Sequence, residues 1–257
     1  MLEQELAFAH EMGDAAGEIA MRYYLGEFEV KQKPDLSPVT EADIAVEAMF
    51  REVVAQRFPS DSVLGEEGGL TGASDRVWVI DPIDGTKNFA DGVPVWATLI
   101  ALQIEGKGVL GLTSSPALGE RYEAVRGHGA RWNGRDIHVS RCDRVSRAFV
   151  NFSSVDTWLV GPRREEFLDL LAGSRRNRGF GDFWGHMLVA RGAADVMLEQ
   201  DLALWDWAAL QVIVEEAGGR VTTLDGDPPF DGGSILTTNG LIHDEVMARL
   251  RGPVSRS

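Results

Sequence analysis

The chain has 257 residues, of which 44% are hydrophobic and 25% charged, a composition typical of a globular protein with a substantial core. Its 40 acidic residues outnumber 25 basic ones and give a formal net charge of -15 at pH 7, so we expect neither a nucleic-acid nor a membrane partner. The single cysteine, Cys142, excludes an internal disulfide and a cysteine-rich metal site.

The N-terminal segment predicts a helix rather than a targeting signal. Apolar residues recur at helical spacing over residues 2–23. The segment lacks the basic start and the unbroken apolar core of a secretory signal peptide, and no apolar run in the chain approaches the length of a membrane span. We therefore expect a cytoplasmic protein.

The next elements follow from local patterns. The polar, proline-containing segment 31–40 predicts a loop. Thr40 and Asp43 have the spacing of an N-cap residue and a first-turn acid, so a second helix is expected to begin there. The strands predicted for this half are 77–80, 95–104, 108–113 and 121–125.

The second half is expected to begin near Arg147. Its predicted strands are 148–152, 194–198, 221–223 and 235–238, and its predicted helices are 163–171, 183–191, 207–217 and 241–250. Strands interleaved with helices in blocks indicate a layered α/β or α+β architecture. Because no long linker is present, we expect one integrated catalytic unit with an N-terminal lobe, 1–145, and a C-terminal lobe, 146–257.

The segment DPIDGT, residues 81–86, directly follows the apolar run 77–80. Its two carboxylates lie three residues apart at the end of a predicted buried strand, where they repel unless a cation lies between them. Carboxylate oxygens suit hard cations such as magnesium, and Gly85 allows close approach of the backbone to a ligand. The segment therefore predicts metal ligands beside a phosphate-binding turn. The alternative is an ordinary Asp-Pro/Asp-Gly turn capped by Thr86.

Four further acids have ordinary structural explanations when they are taken singly. Glu66 and Glu67 lie in a glycine-flanked turn that fits a solvated loop. Asp43 is a favourable acid in a first helical turn, and Asp206 has the position of an N-cap. Only their combination with DPIDGT points to a function. The five histidines are scattered without metal-ligand spacing, and we interpret them as structural or solvated.

Four segments, in this order, carry a family resemblance: GEE at 65–67, DPIDGTKNF at 81–89, WDWA at 205–208 and EEAGG at 215–219. They resemble the inositol monophosphatase family of magnesium-dependent phosphatases, and the likeness covers nearly the whole chain. The resemblance implies an α+β fold, a layered α-β-α-β-α sandwich, with a site where the two lobes meet. It also implies a homodimer and a small phosphorylated metabolite as substrate.

The resemblance implies a ligand set for two or three magnesium ions. Glu66, Asp81 and the carbonyl of Ile83 would hold one ion. Asp81, Asp84 and Asp206 would hold a second, and Glu66 would help to place a third through water. Metal ions about 3.5–4 Å apart can stabilise both the attacking and the leaving oxygen of an in-line displacement.

Roles in catalysis also follow from the resemblance. Asp43 and Thr86, with Glu66 through its ion, would orient and deprotonate the metal-activated water. Gly85 and Thr86 would contact the phosphate, and Glu67 would support the metal ligands from outside.

The resemblance places the leaving-group pocket at 181–184 and at Glu199, with Asp206 as a further substrate contact. Asp182 and Phe183 stand where the inositol-specific pattern has a small hydroxyl residue and an alanine. An acid and an aromatic ring suit a cationic group. Together with residues 92–102 and 178–184, they look like the histidinol-phosphatase branch, which implies L-histidinol phosphate as the substrate.

Two alternatives remain open at this point. Glu199 can also bind hydroxyl groups, so an inositol-1-monophosphatase or a broad sugar-phosphate phosphatase would fit the same mechanism. Some family relatives bind RNA polymerase or RNA-processing partners, a role that needs no metal. The complete set of acids and the strongly negative charge argue against this non-enzymatic alternative.

Overall fold

The computed structural model describes residues 2–24, 26, 30–32 and 38–251. The chain divides into two compact units. The first comprises Met1–Arg135 with Trp205–Ile213, and the second comprises Asp136–Leu204 with Val214–Ser257. The lobes expected from the sequence, 1–145 and 146–257, differ from this division in assigning 136–145 to the N-terminal lobe and 205–213 to the C-terminal lobe.

The secondary structure consists of helices and short strands. The α-helices are α1 Glu3–Tyr23, α2 Glu41–Arg57, α3 Thr86–Ala90, α4 Val155–Val160, α5 Arg164–Gly173, α6 Asp182–Ala190, α7 Leu204–Glu216 and α8 His243–Leu250. The strands are β1 Val30–Gln32, β2 Pro38–Thr40, β3 Ser62–Gly65, β4 Gly69–Thr71, β5 Arg76–Asp84, β6 Ala97–Ile104, β7 Lys107–Ser115, β8 Glu120–Val125, β9 Ala130–Trp132, β10 Arg135–Ile137, β11 Phe149–Phe152, β12 Arg176–Arg178, β13 Val196–Leu202, β14 Arg220–Thr222 and β15 Gly233–Thr238. None of the described helices has the length and apolar character that a membrane crossing requires.

The first unit is built on an eight-stranded sheet in the order β10-β9-β8-β7-β6-β5-β3-β4. Strands β3 and β5 run parallel, whereas β5, β6, β7 and β8 form an antiparallel series. Helices α1 and α2 contribute apolar residues to a core on this sheet, where Phe8 packs edge-on against Trp78 with the ring centroids 4.9 Å apart. Alternating inward residues of β5 and β6 complete this core, as expected for a sheet with one face covered by helices.

The second unit contains a five-stranded sheet in the order β12-β11-β13-β15-β14. Strands β12, β11 and β13 are parallel, and β15 is antiparallel to both of its neighbours. Two apolar clusters pack on this sheet: one includes Val150, Leu198 and Val246, and the other includes Phe149, Met197 and Val189. Mixed sheets covered by helices confirm the predicted α+β fold class.

Two local expectations were wrong. The predicted loop 31–40 contains two short paired strands, β1 and β2, around residues 33–37, which lie outside the described part. Strand β5 does not end at residue 80 but continues to Asp84, because the pairing with β6 shifts in register between Asp81 and Asp84. Such a bulge accommodates a proline in a strand, since proline has no N–H to donate to the ladder. The edge strand β12 lies in the basic segment 175–178.

Candidate active site

The parallel pairing of β3 with β5 brings two predicted metal ligands to one edge of the sheet. Gly65 at the end of β3 pairs with Ile80 of β5. The next residues are Glu66 and Asp81. Because the two strands run parallel, Glu66, directly after β3, and Asp81, within β5, are brought close together at the end of their shared pairing.

The bulged end of β5 fixes the DPIDGT segment through its own hydrogen bonds. The backbone N–H of Ile83 donates to Oδ1 of Asp81 at 3.0 Å, and the hydroxyl of Thr86 donates to the carbonyl of Ile83 at 2.9 Å. Gly85 has a left-handed φ of 80°, a conformation that glycine adopts without strain, and α3 begins at Thr86. The chain therefore turns sharply after Asp84, as the sequence predicts, but Gly85 rather than Thr86 is the helix cap.

Three carboxylates converge at this turn. Asp81, Asp84 and Asp206 each offer one oxygen, and these oxygens lie within 4.8 Å of one another. Asp206 lies in the first turn of α7, not at its N-cap, because the helix begins at Leu204. Helix α7 lies directly on β7: a Cβ at Gly111 would be 2.4 Å from the carbonyl oxygen of Ala209. This close approach explains why 205–213 belongs to the first unit.

A second group of carboxylates consists of Asp43, Glu66 and Glu67, whose oxygens also lie within 4.8 Å of one another. Thr40 and Asp43 form the predicted capping box at the start of α2, in which Oδ2 of Asp43 accepts hydrogen bonds from both the N–H and the hydroxyl of Thr40. Among the described residues, the buried Oδ1 atom of Asp43 has no hydrogen-bond partner. One oxygen of Asp43 is thus committed to the helix, and the other is available to a ligand.

The electrostatics of these acids are unfavourable for the protein alone. Burial raises the pKa of Asp81 well above its ordinary value, and the carboxylates of Glu66, Asp84, Asp206 and Asp43 raise it further. Burial also raises the pKa of Asp43 to about 7, against the lowering effect of its hydrogen bonds from Thr40. A bound divalent cation would reverse both effects, and a donor set made only of oxygens fits a hard cation such as magnesium.

Sequence reasoning missed two residues that hold the Glu66–Glu67 turn. The buried carboxylate of Glu47, on α2, accepts hydrogen bonds from the N–H groups of Glu67 at 2.8 Å and Gly68 at 2.7 Å. Arg51 donates to Glu47 at 2.8 Å and to the carbonyl of Gly69 at 2.6 Å. In the sequence this pair has the i,i+4 spacing of an ordinary surface ion pair. The one available signal was the glycine pattern, because a Cβ at Gly65 would be 2.5 Å from the Glu47 carboxylate.

The predicted leaving-group residues lie in the second unit. Asp182 is the first residue of α6 and has a left-handed φ of 48°. Phe183, the next residue of α6, is fully buried. Glu199, in β13, is 7% exposed and receives a hydrogen bond from His186.

Comparisons with known proteins identify the family of the chain. A family model described as the inositol monophosphatase family matches residues 1–253. The chain is 46% identical to a histidinol-phosphatase of Streptomyces coelicolor, over 96% of each chain, and 45% identical to a histidinol-phosphatase of Mycobacterium tuberculosis, over 97% of this chain and 99% of the relative. The extragenic suppressor protein suhB of Bartonella henselae superposes with a TM-score of 0.91 at 29% identity, covering 98% of this chain and 100% of the other. The chain belongs to the inositol monophosphatase family, which its sequence motifs resemble.

Proposed function

We propose that the chain hydrolyses L-histidinol phosphate to L-histidinol and phosphate. The convergence of Asp81, Asp84 and Asp206 at the end of β5 carries the proposal, because a phosphatase of this family needs carboxylates that hold cations beside a phosphate. The likeness to two histidinol-phosphatases over nearly the full length of each chain supports the choice of substrate.

Magnesium is the proposed cofactor, with two or three ions per site. Asp81, Asp84 and Asp206 would hold one ion, and Glu66 would hold another with Asp81 and the carbonyl of Ile83. That carbonyl accepts one hydrogen bond from Thr86 and keeps a second lone pair for a cation. When bound, magnesium lowers the pKa of the attacking water and stabilises the charge that develops on the phosphoryl and leaving oxygens.

The chain supplies the proton acceptor and orients the attacking water. Asp43 has a buried oxygen with no hydrogen-bond partner among the described residues, and this oxygen can accept the proton of the attacking water. Because the Thr86 hydroxyl donates its proton to Ile83, its oxygen can accept a hydrogen bond from water. Water then adds to phosphorus and its proton passes to Asp43. The ester P–O bond breaks, the alcohol oxygen takes a proton from solvent, and Asp43 returns its proton to solvent.

Recognition of the alcohol is proposed to depend on Asp182 and Glu199. Histidinol phosphate carries an ammonium group and a titratable imidazole, and carboxylates bind both through charge-assisted hydrogen bonds. Phe183, the residue after Asp182, is proposed to add a cation–π contact with the same cationic group. Charge pairing and this contact would together carry the proposed specificity.

The assembly and the location remain predictions. The family resemblance implies a homodimer, which sedimentation equilibrium of the purified protein tests directly. Cell fractionation tests the expected cytoplasmic location.

Phosphate release by the purified protein tests the activity. We would compare histidinol phosphate, inositol 1-phosphate and fructose 1,6-bisphosphate at equal concentrations with magnesium, each with an EDTA control. We expect EDTA-sensitive release with a preference for histidinol phosphate. Preference for either of the other two substrates would be consistent with the proposed mechanism but would reject histidinol phosphate as the substrate. Release in the presence of EDTA would reject the metal site.

A variant separates substrate choice from catalysis. Asp182→Ala should lower kcat/KM for histidinol phosphate much more than for inositol 1-phosphate, because the cationic group loses a charge partner. Equal losses for the two substrates would contradict the proposed role of Asp182.

A further inference from the structure

His186 occupies a buried position between two side chains of the five-stranded sheet. It lies on α6 with 1% of its surface exposed. Its Nδ1 atom lies 2.8 Å from the hydroxyl of Thr237, on β15, and its Nε2 atom lies 3.1 Å from Oε2 of Glu199, on β13. The ring thus connects two neighbouring strands through two hydrogen bonds.

The chemistry of the three groups fixes where the protons lie. An ionised carboxylate can only accept, so Nε2 of His186 carries a proton and donates it to Glu199. In the neutral ring Nδ1 then accepts from the hydroxyl of Thr237, and one tautomer satisfies both contacts. In a protonated ring Nδ1 would donate to the Thr237 hydroxyl instead of accepting from it, whereas Nε2–H would still donate to Glu199. The bond to Glu199 is therefore present in either state of the ring.

Glu199 depends on this bond for its orientation. Among the described residues it receives no other hydrogen bond, and its Oε1 atom is not committed. The pairing of β13 with β15 shifts in register immediately after Glu199, and such a bulge changes the direction of the side chains beside it. Without a second donor, only His186 selects among the rotamers that this backbone allows.

We propose that His186, held by Thr237, is a positioning residue for substrate recognition. It holds one oxygen of the Glu199 carboxylate, and the other oxygen is then oriented toward the cationic part of the alcohol. The inference rests on the proposed function, because it assigns His186 to the same cationic substrate.

The same unit contains a matched control. His243, on α8, is also buried, with Nδ1 at 2.9 Å from the hydroxyl of Thr238 and Nε2 at 3.1 Å from the hydroxyl of Thr222. Thr237 and Thr238 are consecutive in β15, so their side chains point to opposite faces of the sheet. His243 therefore has the burial and hydrogen bonding of His186, but both of its bonds go to hydroxyls.

The test compares His186→Asn, His186→Gln and His243→Asn. An asparagine amide reaches about as far as Nδ1 and loses the bond to Glu199, whereas a glutamine amide reaches about as far as Nε2 and keeps a donor there. We would measure KM, kcat and the melting temperature, with histidinol phosphate and with p-nitrophenyl phosphate, whose leaving group has no cation.

We expect His186→Asn to raise KM for histidinol phosphate about tenfold, the effect of one hydrogen bond to a charged group, with kcat nearly unchanged and p-nitrophenyl phosphate unaffected. His186→Gln should recover most of the loss. His243→Asn should lower the melting temperature and leave both substrates unchanged. Parallel losses with both substrates, equal effects of Asn and Gln, or an unchanged KM in His186→Asn would overturn the assignment. A wild-type protein with no preference for histidinol phosphate would reject the proposed function itself, and this inference with it.

Discussion

Buried carboxylates are treated differently in the two units. In the first unit Asp81 is buried among other acids, and burial and those neighbours raise its pKa. In the second unit Asp195 is buried as well, but it accepts hydrogen bonds from the hydroxyl of Ser140 and from the N–H of Phe149 at 2.6 Å. The hydrogen bonds to Asp195 offset the cost of burying its charge. The charge of Asp81 has no such balance from the neighbouring acids, so a cation from outside the chain would be needed to offset it.

This difference separates function from stability. Acids that repel one another in the folded chain reduce its stability and hold a cation when one is present. Acids that accept hydrogen bonds from the chain stabilise it and need no ligand. Substitutions of the acids that repel one another should therefore lower activity without lowering stability. Substitutions of the acids that accept hydrogen bonds should lower stability without lowering activity.

The largest effect is expected for Asp84→Asn. Loss of a charged metal ligand should lower kcat about 10³-fold or more, because several kcal/mol of charge stabilisation are lost. Without magnesium the variant should unfold at the same temperature as the wild type or a higher one, since one repelling charge beside Asp81 is gone. Phosphate release and thermal melting in EDTA test both statements, with the exposed Asp75→Asn as control. Normal turnover in a folded variant would refute the metal assignment.

Asp195→Asn should show the opposite pattern. The amide cannot accept both hydrogen bonds in place of the carboxylate, so the free energy of unfolding should fall by about 2–3 kcal/mol. Activity per folded molecule and the magnesium requirement should not change. Urea unfolding with and without magnesium measures the first effect, and magnesium titration of activity measures the second. If Asp195→Asn had wild-type stability, the two hydrogen bonds to Asp195 would not stabilise the folded chain as proposed.

Glu47→Gln tests whether a carboxylate that is hydrogen-bonded by the chain helps to position the proposed metal ligands. Glutamine keeps the size but loses the ion pair with Arg51 and can accept only through one oxygen from the turn that carries Glu66 and Glu67. The magnesium concentration for half-maximal activity should rise about tenfold, as for the loss of one charged hydrogen bond. Calorimetric magnesium binding should weaken in parallel. The exposed Glu52→Gln on the same helix is the control, and unchanged binding in Glu47→Gln would reject the role.

The smallest effect concerns His243 and pH. Burial, helped by the charge of Arg220, lowers the pKa of His243 from its ordinary 6.5 to about 4. Below pH 6.5 the unfolded chain therefore binds a proton at His243 that the folded chain does not bind. The folded protein loses stability for this reason as the pH falls from about 6.5 to about 4. His243→Gln should consequently destabilise the protein less at pH 5 than at pH 7.5. An equal cost of His243→Gln at both pH values would contradict the lowered pKa.

The sequence predicted what depends on local pattern and missed what depends on which strands pair. The capping box of Thr40 and Asp43 follows from a spacing of three residues, and the structure confirms it. The convergence of Asp206 with Asp81 was implied by resemblance alone, because no local pattern shows that α7 lies on β7. The hydrogen-bond partners of Glu47 and His186 could not be predicted for the same reason, because they lie on other elements. Glu47 was not singled out, and His186 was interpreted only as structural or solvated, since such residues usually lie at the surface.

The contact between α7 and Gly111 has a consequence for how the protein folds. Asp206 reaches the carboxylates of β5 only after a segment far along the chain has docked on β7, so the complete ligand set does not exist until this long-range step is finished. A cation that needs all three oxygens would then bind the folded chain and not its folding intermediates. Its binding would therefore slow unfolding more than it speeds folding, so the metal would stabilise the completed structure kinetically without helping to nucleate it.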